Sequence, residues 1–371
     1  MVTVDEGAGL PDTQAWYARQ VTSNKEQSSV MDEIGKRKKD HLDITAAGGA
    51  GYEKTTGFER YDFVHDALPE VDYDEITCET RFLNRWFSFP LFISSMTGGH
   101  HEATPVNAVI AAFCERYNLP FGVGSQRVML EDPSTRESFS IVREEAPSAF
   151  IAANIGGAQL AGGMEKEQIG LLIDTIRADA IIAHLNPLQE LRQKQGDRRF
   201  SGIREGIRSL VNDVEVPVIV KETGAGLSES VVSQLLDCGV SAFDVAGAGG
   251  TSWGKVENIR NGGLERHFTD DWGIPTVDCL LASRELVHDR CELVASGGIR
   301  SSVDIAKSLC LGAVIAATAQ PVIKAIREGG YDGLEAMFRH WEDDFRTIMC
   351  LLGCERPTDL DMIHLRRVQG R

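Results

Sequence analysis

"ADAIIAHLNPLQE", residues 178–190, changes character halfway along. Ala180 to Ala183 are apolar without alternation and rich in β-branched side chains, the composition of a strand buried on both faces. His184, Asn186, Gln189 and Glu190 then crowd around Pro187, and such groups are costly to bury unless they find partners. A strand that runs straight into imidazole, amides and carboxylate makes sense where strand ends face a ligand. The same shape recurs along the chain: "PLFISSMTGG" (90–99), "PFGVGSQR" (120–127), "AFIAANIGG" (149–157), "VPVIVKETG" (216–224), "SAFDVAGAGG" (241–250), "ELVASGG" (292–298) and "AVIAATAQP" (313–321). With the first stretch, that makes eight apolar runs ending in glycine or small polar residues.

Segments of helical periodicity separate most of them, among them "EKEQIGLLIDTIRA" (165–178), "GIREGIRSLVNDV" (202–214), "SESVVSQLLDCG" (228–239) and "SSVDIAKSLCLGA" (301–313). Several start on serine and end on glycine, the usual cap residues. Buried strands alternating with amphipathic helices mean a parallel sheet covered by helices. Eight such units between residues 90 and 321 predict an α/β fold, a (β/α)8 TIM barrel, which typically runs to ~250 residues. A doubly wound open sheet is the weaker alternative. The expected organisation is a loose N-terminal extension over 1–30, a segment over 31–89 carrying a basic cluster, and the barrel over 90–371. Active sites of such barrels form at the C-terminal ends of the strands.

The chain of 371 residues is 42% hydrophobic and 25% charged, with a net charge of −17. That balance predicts a soluble globular protein and argues against nucleic acid, whose phosphates demand a basic footprint. No apolar run approaches a membrane span, the first residues do not read as a secretory signal, and the eight scattered cysteines read as reduced core thiols. A cytoplasmic protein with no membrane partner is expected.

Several strand ends carry groups suited to anions. Gly297 and Gly298 follow the seventh run and open a helix, and Ala319 and Gln320 close the eighth. Loops after the seventh and eighth strands are the common phosphate site of this fold. Lys221 ends the fifth run and Asn154 occupies the matching place on the third. Ser125, Gln126 and Arg127 offer hydroxyl, amide and guanidinium after the second. Arg37, Lys38 and His41 form the densest basic cluster, read equally well as a solvated face or as part of a polyanion site. Thr251 and Trp253 follow the glycines of the sixth run. Glu190, amid neutral amides, suits Mg²⁺, which commonly takes one or two protein carboxylates and fills its shell with water and phosphate. "GGHHE" (98–102) lacks the spacing of a zinc site and reads as a loop.

In order along the chain, "RKKDH", "SMTGG", "GVGSQR", "ANIGGAQL", "HLNPLQE", "VKETGAGLS", "DVAGAGGTSW" and "ASGGIRSSVDIAKSLCLGA" together resemble the type 2 isopentenyl-diphosphate isomerases, FMN-dependent barrel enzymes, from about Arg37 to about residue 350. "NPLQE" and "AGGTSW" are specific to that resemblance, whereas the "SGGIR…LGA" stretch is shared with other FMN barrels. Thr223 and Ala225 depart from the family pattern. The resemblance implies that Ser95, Met96, Thr97, Ser125, Asn154, Lys221, Thr251, Gly297, Gly298, Ala319 and Gln320 hold FMN. It implies that Arg37, Lys38, His41, Ser125, Gln126, Arg127 and Gln189 bind substrate, and that Glu190 binds Mg²⁺. His184, Asn186 and Gln189 are the candidate catalytic side chains.

The implied reaction interconverts isopentenyl diphosphate and dimethylallyl diphosphate by a 1,3-allylic proton shift. It needs reduced FMN, with NADPH serving only as reductant, and a homotetramer or homo-octamer is expected. No opposed pair of acids stands out at the strand ends, which fits proton transfer by the cofactor. The alternative is an FMN-dependent α-hydroxy-acid oxidase of the same barrel class, but the His-Gly-Gly expected near the sixth and seventh strands is missing. A non-catalytic flavin or phosphate binder would leave Glu190 and the basic cluster idle.

Overall fold

A computed structural model describes residues 40–41, 44–45, 48–263, 265–287 and 289–368. The eight apolar runs are eight parallel strands: β1 (Leu91–Ile93), β2 (Phe121–Gly122), β3 (Ile151–Gly156), β4 (Ala180–Leu185), β5 (Val218–Glu222), β6 (Ala242–Asp244), β7 (Glu292–Ala295) and β8 (Ile315–Thr318). They close in sequence order, β8 pairing with β1. The four segments of helical periodicity are helices over Lys166–Ile176, Ile203–Asp213, Glu229–Leu236 and Ser302–Cys310. Ser228 and Ser301 accept N–H bonds from Val231 and Asp304, so both serine caps form as their sequence suggests. The last helix, Gln320–Leu351, breaks at Gly330, whose positive φ interrupts it.

Strand alternation sorts the side chains into two cores. One set packs outward against the helices, for example Ile181, Ala183, Val220 and Leu293. The other points into the barrel: Phe92, Ala152, Ala180, Ile182, Ile219, Ala242, Val294, Ile315 and Ala317. Two residues further along the same inward rows stand Ser94, Asn154, His184, Lys221, Asp244 and Ser296. The barrel interior is thus apolar below and polar above.

The lower end is stoppered by a hairpin, Thr80–Phe82 with Arg85–Phe87. Its two-residue turn has both Leu83 and Asn84 at positive φ, as tight hairpins require, and the Leu83 N–H is tied to Glu292 Oε2 at 2.7 Å. Phe82 and Phe87 are buried and meet Phe92 and Phe150 edge to face, at centroid distances of 6.1 Å for Phe82–Phe92 and 5.7 Å for Phe87–Phe150. A further small sheet pairs Tyr61–Phe63 with Leu365–Arg367, joining the N-terminal segment to the end of the chain. All eight cysteines are free thiols, six of them buried. Among the described residues, no helix is long and apolar enough to cross a membrane.

Candidate active site

At the C-terminal ends of the strands lies a cavity of about 550 Å³. Its wall takes in Ser95, Met96, Thr97, Ser125, Asn154, Lys221, Thr251, Gly297, Gly298, Ala319 and Gln320 on one hand, and His41, Arg127, His184, Asn186, Gln189 and Glu190 on the other. Arg37 and Lys38 lie outside the described residues.

Gln126 is the exception among the sequence candidates. It does not line the cavity, and its side chain is fully buried. Its Nε2 donates to Leu172 O at 3.0 Å and its Oε1 accepts from Asn154 N at 3.0 Å. The expectation that this amide grips a diphosphate is therefore corrected. The first turn of the helix Arg127–Glu131 rotates Gln126 inward and Arg127 outward. Gln126 braces the end of β3, where Asn154 Oδ1 meets His184 Nδ1 at 2.7 Å.

Burial, with the nearby Lys221 ammonium, lowers the His184 imidazole to about 4. The ring is neutral near pH 7, and with Nδ1–H donated to Asn154 the other ring nitrogen is an acceptor. Glu190 is held at both oxygens: Asn186 Nδ2 donates to Oε1 at 3.0 Å and the Asp197 N–H donates to Oε2 at 2.7 Å. Asn186 also donates to Gln189 Oε1 at 3.1 Å. Arg127 is clamped by Glu131 and Asp197, each at 2.9 Å, and Gln159 donates to the same Asp197 oxygen at 2.7 Å. His41 reaches the wall through Glu257 Oε1, 2.7 Å from its Nε2, with its ring edge-on to Trp253. Burial pushes the Glu257 carboxyl up, but its bonds to His41 and Arg260 hold it below the usual range.

Across the mouth, the loops after β6 and β7 interlock backbone to backbone. Gly297 and Gly298 have positive φ, and a Cβ on either would strike Gly247 O or Thr56 Cγ2. Thr276 Oγ1 donates to Gly297 O at 2.6 Å and Arg300 Nη1 to Gly249 O at 3.1 Å, fixing both loops. The helix beginning at Gln320 points its N-terminus at the same corner, a ready anion site. Ser95 Oγ is buried at the wall with no hydrogen-bond partner among the described residues. These groups suit a planar polar ring with a phosphate tail. No group of three His, Cys, Asp or Glu among the described residues forms a metal cage. The single carboxylate of Glu190, ringed by amides, still suits Mg²⁺, which draws most of its shell from water and phosphate.

Two acids at strand ends lie outside the sequence candidates. Asp244 pairs with Lys221 at 2.9 Å. Glu222 faces outward, its Oε2 accepting from the N–H groups of Gly224, Ala225 and Gly226. Parity along β5 and β6 was the available signal: Lys221 and Asp244 continue the inward rows, and Glu222 must point the other way. His100, in the loop that carries "GGHHE", also lines the cavity.

A closed barrel with this phosphate corner defines the class of FMN-dependent enzymes, and the family model for FMN-dependent dehydrogenases matches residues 164–367. A flavocytochrome b2 variant superimposes with a TM-score of 0.65 at 18% identity, covering 89% of this chain and 85% of that one; this likeness is one of fold. The isopentenyl-diphosphate delta-isomerase of Pelodictyon phaeoclathratiforme is 45% identical over 340 residues, 87% of this chain and 94% of its own. That of Rickettsia bellii is 43% identical over 294 residues, 78% of this chain and 85% of its own. The chain belongs to the isopentenyl-diphosphate delta-isomerase family, and it is an isomerase.

Proposed function

We propose that this isomerase interconverts isopentenyl diphosphate and dimethylallyl diphosphate by a 1,3-allylic proton shift, using reduced FMN and Mg²⁺, with NADPH as the reductant of the flavin. One observation carries the reading: a single cavity joins a glycine-walled phosphate corner and the Lys221 ammonium to a belt made of Arg127, Gln189 and Glu190.

Lys221, Asn154, Ser95, Met96, Thr97, Ser125 and Thr251 would hold the flavin ring and ribityl chain, with Gly297, Gly298, Ala319 and Gln320 around its phosphate. Reduced FMN, when bound, supplies the proton donor and acceptor that an unactivated alkene requires. Glu190 would hold Mg²⁺, whose charge offsets that of the diphosphate. Arg127 and His41, with the basic segment containing Arg37 and Lys38, would bind the diphosphate oxygens. Gln189, fixed by Asn186, would orient the C5 unit. His184, neutral and locked by Asn154, would present a hydrogen-bond acceptor rather than a charge.

Among the described residues, the cavity-lining carboxylates are Glu131 and Glu190, each already partnered. This supports the assignment of acid–base work on the hydrocarbon to the cofactor. An α-hydroxy-acid oxidase would need a histidine followed by two glycines near β6 or β7, where this chain has Ala246-Gly247 and Ser296-Gly297-Gly298. Free thiols fit a cytoplasmic setting, and a homotetramer or homo-octamer is the assembly proposed, to be read by light scattering.

The test is an anaerobic assay of isopentenyl diphosphate turnover with FMN, NADPH and Mg²⁺ omitted in turn. Activity should vanish without Mg²⁺ or without reductant. Turnover with oxidised flavin and no reductant would overturn the mechanism.

A further inference from the structure

Lys221 and Asp244 are register neighbours on β5 and β6, and Asp244 is paired in turn with Val294 on β7. Two residues beyond Val294 the β7 strand end presents Ser296. Lys221 Nζ lies 2.9 Å from Asp244 Oδ2 and 3.4 Å from Ser296 Oγ, and the Ser296 hydroxyl donates to Asp244 Oδ1. Asp244 Oδ1 also accepts the N–H of Ala246 at 3.3 Å, at the residue where β6 leaves the barrel with a positive φ. Both charged side chains are more than nine-tenths buried.

Lys221, Ser296 and Ala246 line the cavity, whereas Asp244 stands behind all three. One carboxylate thus fixes an ammonium, a hydroxyl and the backbone at which the sixth strand ends. An ammonium has three donors, of which Asp244 and Ser296 engage two, leaving one free to aim into the cavity. Burying an ammonium this deeply is costly, and the paired carboxylate offsets part of that cost.

We propose that Asp244 is a positioning residue of the flavin site, aiming the Lys221 ammonium and the Ser296 hydroxyl and offsetting the cationic charge that a bound flavin experiences. The proposal rests on the reading of this cavity as a flavin site. Reduced flavin carries more negative charge than oxidised flavin, so an ammonium beside it favours reduction and a carboxylate behind that ammonium moderates the effect. Asp244 therefore sets how strongly the protein prefers reduced over oxidised FMN.

The experiment is a spectroscopic redox titration of the FMN-loaded protein at pH 7, for the wild type and for Asp244→Asn, each with and without Lys221→Met. Asparagine keeps an acceptor for Ser296 and Ala246 but removes the charge. The preference for reduced over oxidised FMN should rise at least tenfold in Asp244→Asn, an upward shift of about 30 mV for a two-electron couple. The shift should disappear when Lys221→Met is also present. An unchanged potential in folded, flavin-loaded Asp244→Asn overturns the proposal, and so does an equal shift in the Lys221→Met background.

Should Asp244→Asn fail to fold, Asp244→Glu carries the test. Its longer side chain displaces the ammonium, so FMN affinity should fall at least tenfold with the fold intact, and wild-type affinity would overturn the proposal. A wild-type protein that binds no FMN overturns the flavin reading itself, a result distinct from either.

Discussion

Glu222 offers a quantitative test of how this barrel manages a buried charge. The side chain is 5% exposed, between β5 and the surrounding helices, and three successive N–H groups converge on its Oε2. Burial raises its carboxyl from 4.5 to about 7, against the opposing pull of the Ala225, Gly224, Gly226 and Thr223 N–H groups. The folded protein therefore keeps a proton that the unfolded chain gives up above pH 4.5. This contribution to stability is complete below pH 4.5 and is lost as pH rises through 7. At ~1.4 kcal/mol per pH unit the full effect is about 3 kcal/mol, most of which falls between pH 5 and pH 8.

His184 acts with the opposite sign. Its folded value of about 4 gives stability that is complete above 6.5 and lost as pH falls towards 4. A wild-type pH profile alone would mix the two. Glu222→Gln isolates the first, because glutamine accepts the same N–H bonds without titrating. Urea unfolding of both proteins at pH 5 and pH 8 should show the wild type losing roughly 2–3 kcal/mol relative to the variant. Parallel stabilities at the two pH values would refute the reasoning.

Glu190→Gln should abolish the Mg²⁺-dependent activity, and full turnover in that variant would remove the metal assignment. Arg127→Lys keeps the charge but loses the planar fork, so KM for isopentenyl diphosphate should rise about tenfold with kcat little changed; steady-state kinetics with unaltered KM would count against its diphosphate role. Phe82→Ala should cost ~3–5 kcal/mol in urea unfolding, and a loss below about 1 kcal/mol would mean that the hairpin does not stopper the barrel.

The strands were legible because doubly buried parallel strands leave an uninterrupted apolar signature, and "DAIIAHLNP" or "VPVIVKETG" show it without any partner in view. The polar strand ends were legible for the same reason: His184 and Lys221 have no apolar excuse for their positions. Gln126 was not legible, since its fate depends on Leu172 O, a carbonyl 46 residues away in sequence. The hairpin around Leu83 and Asn84 was missed as well. Its strands are three residues long, and its turn lacks the glycine that usually announces one. Asp244 carries little signal because it sits inside the apolar run "SAFDVAGAGG", and Glu222 because it stands beside Lys221, although strand parity separates the two.

The aromatic stopper below has a consequence for traffic above. Among the described residues, Phe82 and Phe87 fill one end, so what enters and what leaves share the mouth at the strand ends. Occupancy must then follow a queue, in which whatever rests against Lys221 arrives first and departs last. Whatever meets Arg127 and Glu190 nearer the rim comes and goes in front of it. Turnover can proceed many times without disturbing the deeper guest, and exchange of that guest has to wait for an empty vestibule.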